Sequence, residues 1–503
     1  MVFKADFAKA YDSIRWDYLD DVLDGFGFES KWRSWIKGSI SSGMASILVN
    51  GSPTSEFQFH CGLKQGDPLA PYLFILVIES LHPSFMRATD EGFFKGIKVG
   101  SSLNLSHLFY ADDAIFVGEW SDDNLRSIMY MLNCFSMASG LGINLKKSHL
   151  LGVSVSDDLI SHVAGLLGCR VLKPPFKYLG IIVGGSMSKV NAWDDSIDKI
   201  KARLSKWKLS TLSIGGRLTL LKSVLGSTPI YSMSMYKVLK LVLNSMESLR
   251  RNFFNGVQGE DRKIAWIKWS KVLASKKYGG LGVNSFYALN RALLFKWVWR
   301  FISNDGSLWF HLINAMHGNS LQVSSSCYYS PWKVILKETV KECMVADKLP
   351  GSLSLSFRRA VRGGAETQQF EQLQLLVDTV ILLNVYDRWF WDLNGEGVFC
   401  VKDARNLIDE TFPPKEPIAT RWLKIVPIKV NIIAWKLHHD RLLIRANLVR
   451  RGVHVYGLFC PVCETEIEEA SHLFFCYGIS RDVTHLICQW WNISWMQVGT
   501  YEE

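Results

Sequence analysis

The stretch HLFYADDAIFVG (107–118) sets two aspartates side by side inside an apolar run. Adjacent carboxylates repel, and strand interiors disfavour Asp. The apolar and aromatic residues on both sides read as two short strands, so the stretch is expected to be a hairpin with Asp112 and Asp113 at its tip. Other Asp pairs occur at 20–21, 122–123, 157–158 and 194–195, and such pairs usually lie in exposed turns. The tyrosine-led apolar flank is what separates Asp112–Asp113 from them. An isolated charge in such surroundings is costly, and a bound cation would reverse that cost.

That pattern matches a specific chemistry. Nucleotidyl transfer by two divalent cations needs carboxylates that converge from separate strands, with the ions about 3.5–4 Å apart. Mg²⁺ takes oxygen ligands. Asp112 and Asp113 would supply one arm, and Asp6, after the short apolar run VFKA, a second arm from a neighbouring strand.

Five stretches then occur in order: KADFAKAYD, GLKQGDPLAPYLF, FYADD, GINLKKS and FKYLGIIVGG. Together they resemble motifs A to E of reverse transcriptases, in the version of the LINE-type (non-LTR) retrotransposon polymerases of plants. The resemblance implies an RNA-directed DNA polymerase with an RNA template, a DNA primer and dNTPs as partners. It implies Asp6, Asp112 and Asp113 as the metal-binding triad for two Mg²⁺. Tyr11 corresponds to the ring that excludes a ribose 2′-hydroxyl, and is alternatively a core aromatic. Gln65 and Gly66 correspond to the motif along the templating pair, where glycine allows close backbone approach. Lys147 corresponds to a proton donor to pyrophosphate, with Lys146 adjacent as the other candidate. FKYLG (176–180) resembles the primer grip. Cys61 stands where the family often has a basic residue.

The same resemblance sets the domain expectations. The fold is expected to be an α/β (α+β) right-hand polymerase palm without most of the fingers at 1–185. A helical, basic thumb (186–265), a connector (266–384) and a zinc-binding module (385–491) would follow. Family members have further polymerase residues upstream of motif A. The chain therefore reads as an N-terminally truncated copy, with a catalytically inactive relic that at most binds nucleic acid as the alternative to an active polymerase.

Charge agrees with a nucleic-acid partner. Residues 161–300 hold 24 Lys+Arg against 6 Asp+Glu, a balance of +18, whereas 1–160 stand at −6 (13 against 19) and 301–503 at −2 (20 against 22). Aromatics run through the basic block, from Trp207 to Trp269, which suits phosphate tracking and base stacking. A solvated Lys-rich helical face is the alternative.

At the C-terminus, Cys460-x2-Cys463-x8-His472-x3-Cys476 offers four soft ligands at a spacing that suits tetrahedral Zn²⁺. Free thiols are the alternative, and His485 and Cys488 lie outside the pattern. The surrounding segment resembles the zinc-binding module that follows plant LINE-type polymerases, which implies one structural Zn²⁺. His438 and His439 are expected on a helix surface. The six scattered cysteines read as buried or incidental thiols.

The longest apolar stretches, such as YLFILVI (72–78) and TVILLNV (379–385), are too short to span a bilayer. A soluble, intracellular protein is expected, nuclear by the resemblance, with no membrane partner. The Ser-rich stretch 318–331 is a candidate linker.

Overall fold

The computed structural model describes residues 1–100, 103–205, 207, 211–257, 265–318, 330–339, 363–378, 390–411 and 415–501. The candidate linker 318–331 lies almost wholly outside them, as does most of 340–389. The chain divides into two compact units, Met1–Gly185 with Gly306–Asn319, and Ser186–Asp305 with Ser320–Glu503.

The first unit is mixed α/β. Its strands are β1 (Val2–Asp6), β2 (Met44–Ala45), β3 (Leu48–Val49), β4 (Ser52–Pro53), β5 (Phe57–Gln58), β6 (Ile97–Val99), β7 (Leu103–Leu105), β8 (His107–Tyr110), β9 (Asp113–Val117), β10 (His149–Leu151), β11 (Arg170–Val171), β12 (Phe176–Tyr178) and β13 (Ile181–Val183). Five of them form one sheet in the order β11-β10-β1-β9-β8. The central strand β1 runs antiparallel to both β10 and β9.

Alternation decides the two faces of this sheet. On β1 and β9 the residues Phe3, Ala5, Ala114 and Phe116 are buried, while Lys4, Asp6, Asp113 and Ile115 between them are half-exposed. The buried set joins Phe74, Val77, Phe85, Phe94, Leu132 and Phe135 in one core. The rings of Phe85 and Phe116 stack at 4.4 Å. The other face stays open, and both strand aspartates point to it.

Six helices supply much of that core. α1 (Trp16–Gly25) buries Leu19, Val22 and Leu23; Phe26, which continues the same spacing, is instead 45% exposed just past its end. α2 (Ser30–Ser41) follows, burying only Ile36. The apolar run after Pro68 makes α3 (Ala70–Glu79) and, after Ser80, α4 (Leu81–Asp90) rather than one helix. α5 (Asp122–Ser139) is capped by Ser121, whose hydroxyl accepts from the Asn124 amide, and ends at left-handed Gly140. α6 (Asp157–Leu167) also ends on a left-handed glycine, Gly168.

The hairpin in ASILVNGSPTSEFQFHCG turns at Asn50–Gly51, both at positive φ. Asn-Gly is the dipeptide that tolerates two successive positive φ values. The helix Leu308–His317 belongs to this unit and packs beside the β6–β7 hairpin.

The second unit is helical. The helix Phe286–Ile302 is apolar nearly all round and buries Phe286, Ala288, Leu289, Ala292, Leu293, Leu294, Val298 and Phe301, as a helix enclosed on several sides must. The helices Ile230–Met235, Pro331–Thr339 and Val401–Thr411 pack on it. Asn290, fully buried, is satisfied by the carbonyls of Met233 and Tyr236 and the amide of Val238. At its start the Glu247 carboxylate accepts from the Phe286 amide, from Arg250 and from the Trp269 indole. Arg250 is buried over the Phe286 ring, and burial pushes its guanidinium down from the usual value against the pull of Glu247.

Candidate active site

The ladder between β1 and β9 sets Asp6 directly opposite Asp113. Directly opposed residues in an antiparallel pair have Cα atoms about 4.5–5.5 Å apart. Tyr110 pairs with Asp113, so Ala111 and Asp112 form a two-residue turn, and the stretch is a hairpin as its sequence suggests. Ala111 sits at φ 51°. Glycine is the usual residue there in a tight hairpin turn. A non-glycine residue held in that region costs on the order of 1–3 kcal/mol, and such outliers gather at functional sites.

Lys4 stands two residues before Asp6 on the same face. Its Nζ lies 2.6 Å from Asp113 Oδ1 and 5.1 Å from the centre of the Tyr178 ring. Sequence reasoning missed this lysine, although strand alternation would have put it beside the carboxylates. It also missed Asn144 and Ser148, in the turn that carries Lys146 and Lys147. The Asn144 amide donates to the Asp6 carbonyl at 2.7 Å, and the Asp6 amide donates to the Ser148 hydroxyl at 3.1 Å. Both backbone groups of Asp6 are thereby tied to that turn. Lys146 and Lys147 are exposed on it.

Tyr11 is half-buried, its ring stacked on Phe74 at 4.9 Å and 15°. Its carbonyl accepts from the Leu63 amide at 2.6 Å. Gln65 is exposed and its Nε2 is 3.4 Å from Asp12 Oδ1. Gly66 has φ 87° with open space around it, whereas at Gly62 an added Cβ would lie 2.7 Å from the Asp12 carbonyl. Gly62 is therefore the position that the close chain crossing requires. The imidazole of His107, on β8, is pushed down to about 4 by burial and then by His82, whose Nδ1 is 2.6 Å away.

Among the described residues, the ligand atoms of Cys460, Cys463 and His472 form a group of three, all within 4.8 Å of one another. Cys463 Sγ and His472 Nε2 are 3.4 Å apart. A bridge between Phe459 and Ile467 closes the loop that carries the two cysteines. Hydrogen bonds from Thr465 lead those that bring the Cys463 thiol down to about 6. Cys476, one π-helical turn after His472, is exposed and outside the group, so the structure gathers three of the four expected ligands. Asp6, Asp112 and Asp113 share one edge without forming such a group.

One other expectation is corrected. His439 is no surface residue: its side chain is 6% exposed, its Nε2 is 3.2 Å from the Gly279 carbonyl, and its ring meets Trp435 edge-on. Of the scattered cysteines, Cys61, Cys134 and Cys400 are exposed and Cys169 half-buried.

A paired carboxylate edge on antiparallel strands, over a helix-backed core, defines a candidate metal-dependent transferase site. Residues 1–183 match the family described as reverse transcriptase (RNA-dependent DNA polymerase), and residues 399–483 the one described as zinc-binding in reverse transcriptase. The chain thus carries a region similar to reverse transcriptases and, after it, a region similar to the zinc-binding part found in reverse transcriptases. A protein of Arabidopsis thaliana named for ribonuclease H is 25% identical over 56% of this chain and 54% of its own length. The Pol polyprotein of the type-2 retrotransposable element R2DM of Drosophila melanogaster is 25% identical over 56% of this chain and 26% of its own. That of the type-1 element R2 of Popillia japonica is 26% identical over 36% of this chain and 30% of its own. The chain thus spans about half or less of the length of these relatives. Telomerase from Candida albicans, solved with a telomeric RNA fragment, aligns at a TM-score of 0.33 and 10% identity over 76% of this chain and 50% of that one, too loose a likeness to bear on the fold. No helix among the described residues is long and apolar enough to cross a membrane.

Proposed function

We propose that the chain is the polymerising part of a non-LTR retrotransposon reverse transcriptase, which joins a dNTP to a primer 3′-hydroxyl on an RNA template. The observation that carries this reading is the register of Asp6 against Asp113, with Asp112 in the adjoining turn, inside the segment that matches the reverse transcriptase family.

The donor set fits Mg²⁺, because carboxylate oxygens are its preferred ligands. Asp6, Asp112 and Asp113 would hold the two ions, which when bound activate the attacking hydroxyl and steady the leaving pyrophosphate. Lys4 pairs with Asp113 beside them. Tyr11, fixed by its stacking on Phe74, would bar a ribose 2′-hydroxyl. Gln65 and Gly66 would line the templating pair, and Lys147 would protonate pyrophosphate from the turn bonded to Asp6. Cys460, Cys463 and His472 would hold one structural Zn²⁺, with Cys476 as the fourth ligand once its exposed side chain turns in. Thiolate and imidazole are the donors that Zn²⁺ takes.

The test is primer extension on an RNA template with Mg²⁺ and dNTPs, with Asp112→Asn as the comparison. The parent chain should extend and the variant should lose at least about 100-fold in rate, the scale on which a displaced catalytic group acts. No extension by the parent sinks the polymerase reading, and full activity in the variant sinks the metal assignment.

A further inference from the structure

The second unit contains a cavity of about 680 Å³ whose walls are cationic and aromatic. Arg251, Lys268, Arg441 and Arg451 line it together with Trp266 and Trp269. Two further lining groups, Lys271 and His439, share the Glu416 carboxylate. Among the described residues, the first four cations have no carboxylate partner, and all four are exposed.

The arrangement is built rather than incidental. Arg451 donates to the carbonyls of Ala265 and Trp266 at 2.9 and 2.8 Å, and its guanidinium lies 5.6 Å from the Trp266 ring centre. This fixes the backbone that carries Trp266. Trp269 is fixed from behind by its indole bond to Glu247. Like charges facing one concave wall repel and focus a positive potential, which an anion relieves. The volume is that of a ligand cleft, about 300–1,000 Å³.

Cations alone would suit any polyanion. Indole walls add a preference for a planar ring, and a base offers its face to an indole only when it is unpaired. We infer that this cavity binds a single-stranded nucleic-acid segment, with phosphates on Arg251, Lys268 and Arg441 and a base against Trp266. The site lies wholly within the second unit, and binding there needs neither the aspartates nor catalysis.

The test uses the full chain with zinc, without Mg²⁺ or dNTPs, and a fluorescent oligo(dT) or oligo(rU) of about 12 nucleotides, within the usual site size. The triple variant Arg251→Gln, Lys268→Gln, Arg441→Gln changes exposed side chains only. It should weaken binding at least about 10-fold and reduce the slope of log affinity against log salt by about 2, at roughly 0.7 per phosphate contact. Trp266→Leu should weaken it about 5- to 100-fold, the range of one lost stacking contact, and Trp266→Phe should restore most of it. A 4-thiouridine oligonucleotide should photocrosslink to peptides spanning 265–271 or 441–451. Crosslinks confined to residues 1–185, a triple variant that binds like the parent, or blunt duplex bound as tightly with no effect of Trp266→Leu would each overturn the site. Asp112→Asn should bind like the parent, which separates this result from failure of the polymerase reading.

Discussion

The amide of Asp6 donates to the buried hydroxyl of Ser148, 142 residues further along the chain, at 3.1 Å. The same hydroxyl donates to the Asn144 carbonyl at 2.9 Å. One serine thus ties the strand that carries the first aspartate to the turn that carries the two lysines. Ser148→Ala leaves the Asp6 amide without that partner. It should lower stability by about 1–3 kcal/mol, read as a lower urea midpoint at constant m-value, and slow primer extension. An unchanged midpoint would show that the bond contributes nothing.

Ala111 holds the hairpin tip at positive φ. Valine there should lower stability by about 1–3 kcal/mol, because a branched side chain fits that region poorly. Glycine should be neutral or slightly stabilising. Thermal melts of the two variants check this, and equal melting for both would mean that the tip relaxes freely.

Lys4 competes with any cation for Asp113. Lys4→Met should move the Mg²⁺ dependence of extension to lower concentration by a few-fold, the scale of a half-exposed ion pair of about 1 kcal/mol. A titration of activity against Mg²⁺ that does not shift would remove Lys4 from the site.

Asp409 accepts from the Ser285 hydroxyl at 2.5 Å, at the start of the long buried helix. Burial pushes its carboxyl up to about 6, against hydrogen bonds from Ser285 and the charge of Arg405. Its folded pKa lies above the ordinary value of 3.8, so the folded state binds the proton more tightly. This contribution is therefore fully present below pH 4 and is lost as pH rises through about 6, to a total on the order of 3 kcal/mol. Asp409→Asn should flatten the stability profile between those pH values. A parent profile without that fall would refute the burial argument.

Metal analysis should find about one Zn²⁺ per chain, since Cys460, Cys463, His472 and Cys476 together would make one tetrahedral site. Chelation or Cys460→Ser should lower the melting temperature, because site formation and folding are linked. A chain that melts identically with and without metal would leave the cysteines as plain thiols.

What the sequence made legible was local. The hairpin at 107–117 and the helix ending at Gly140 follow from alternation and from glycine at positive φ. The core side of the sheet follows from the same period. What it hid was contact between distant segments. Ser148 reads as an ordinary serine until the chain brings it under Asp6. Lys4 reads as a surface charge until β9 aligns beside it. His439 looked like helix surface because the carbonyl that receives it belongs to Gly279, 160 residues earlier. Cys476 matched by spacing, yet spacing does not set the direction in which a side chain leaves its turn.

The helix Leu308–His317 has a consequence for how such a chain can be rearranged in a genome. The polypeptide leaves the first unit near residue 185, runs through 120 residues of the second, and returns for this one helix. A single recombination breakpoint between the units would strand the helix with the wrong partner. Exchange of either unit between elements therefore needs two breakpoints, or a substitute for the face that Ala315 presents to Gly100. Inheritance as one block is the simpler route.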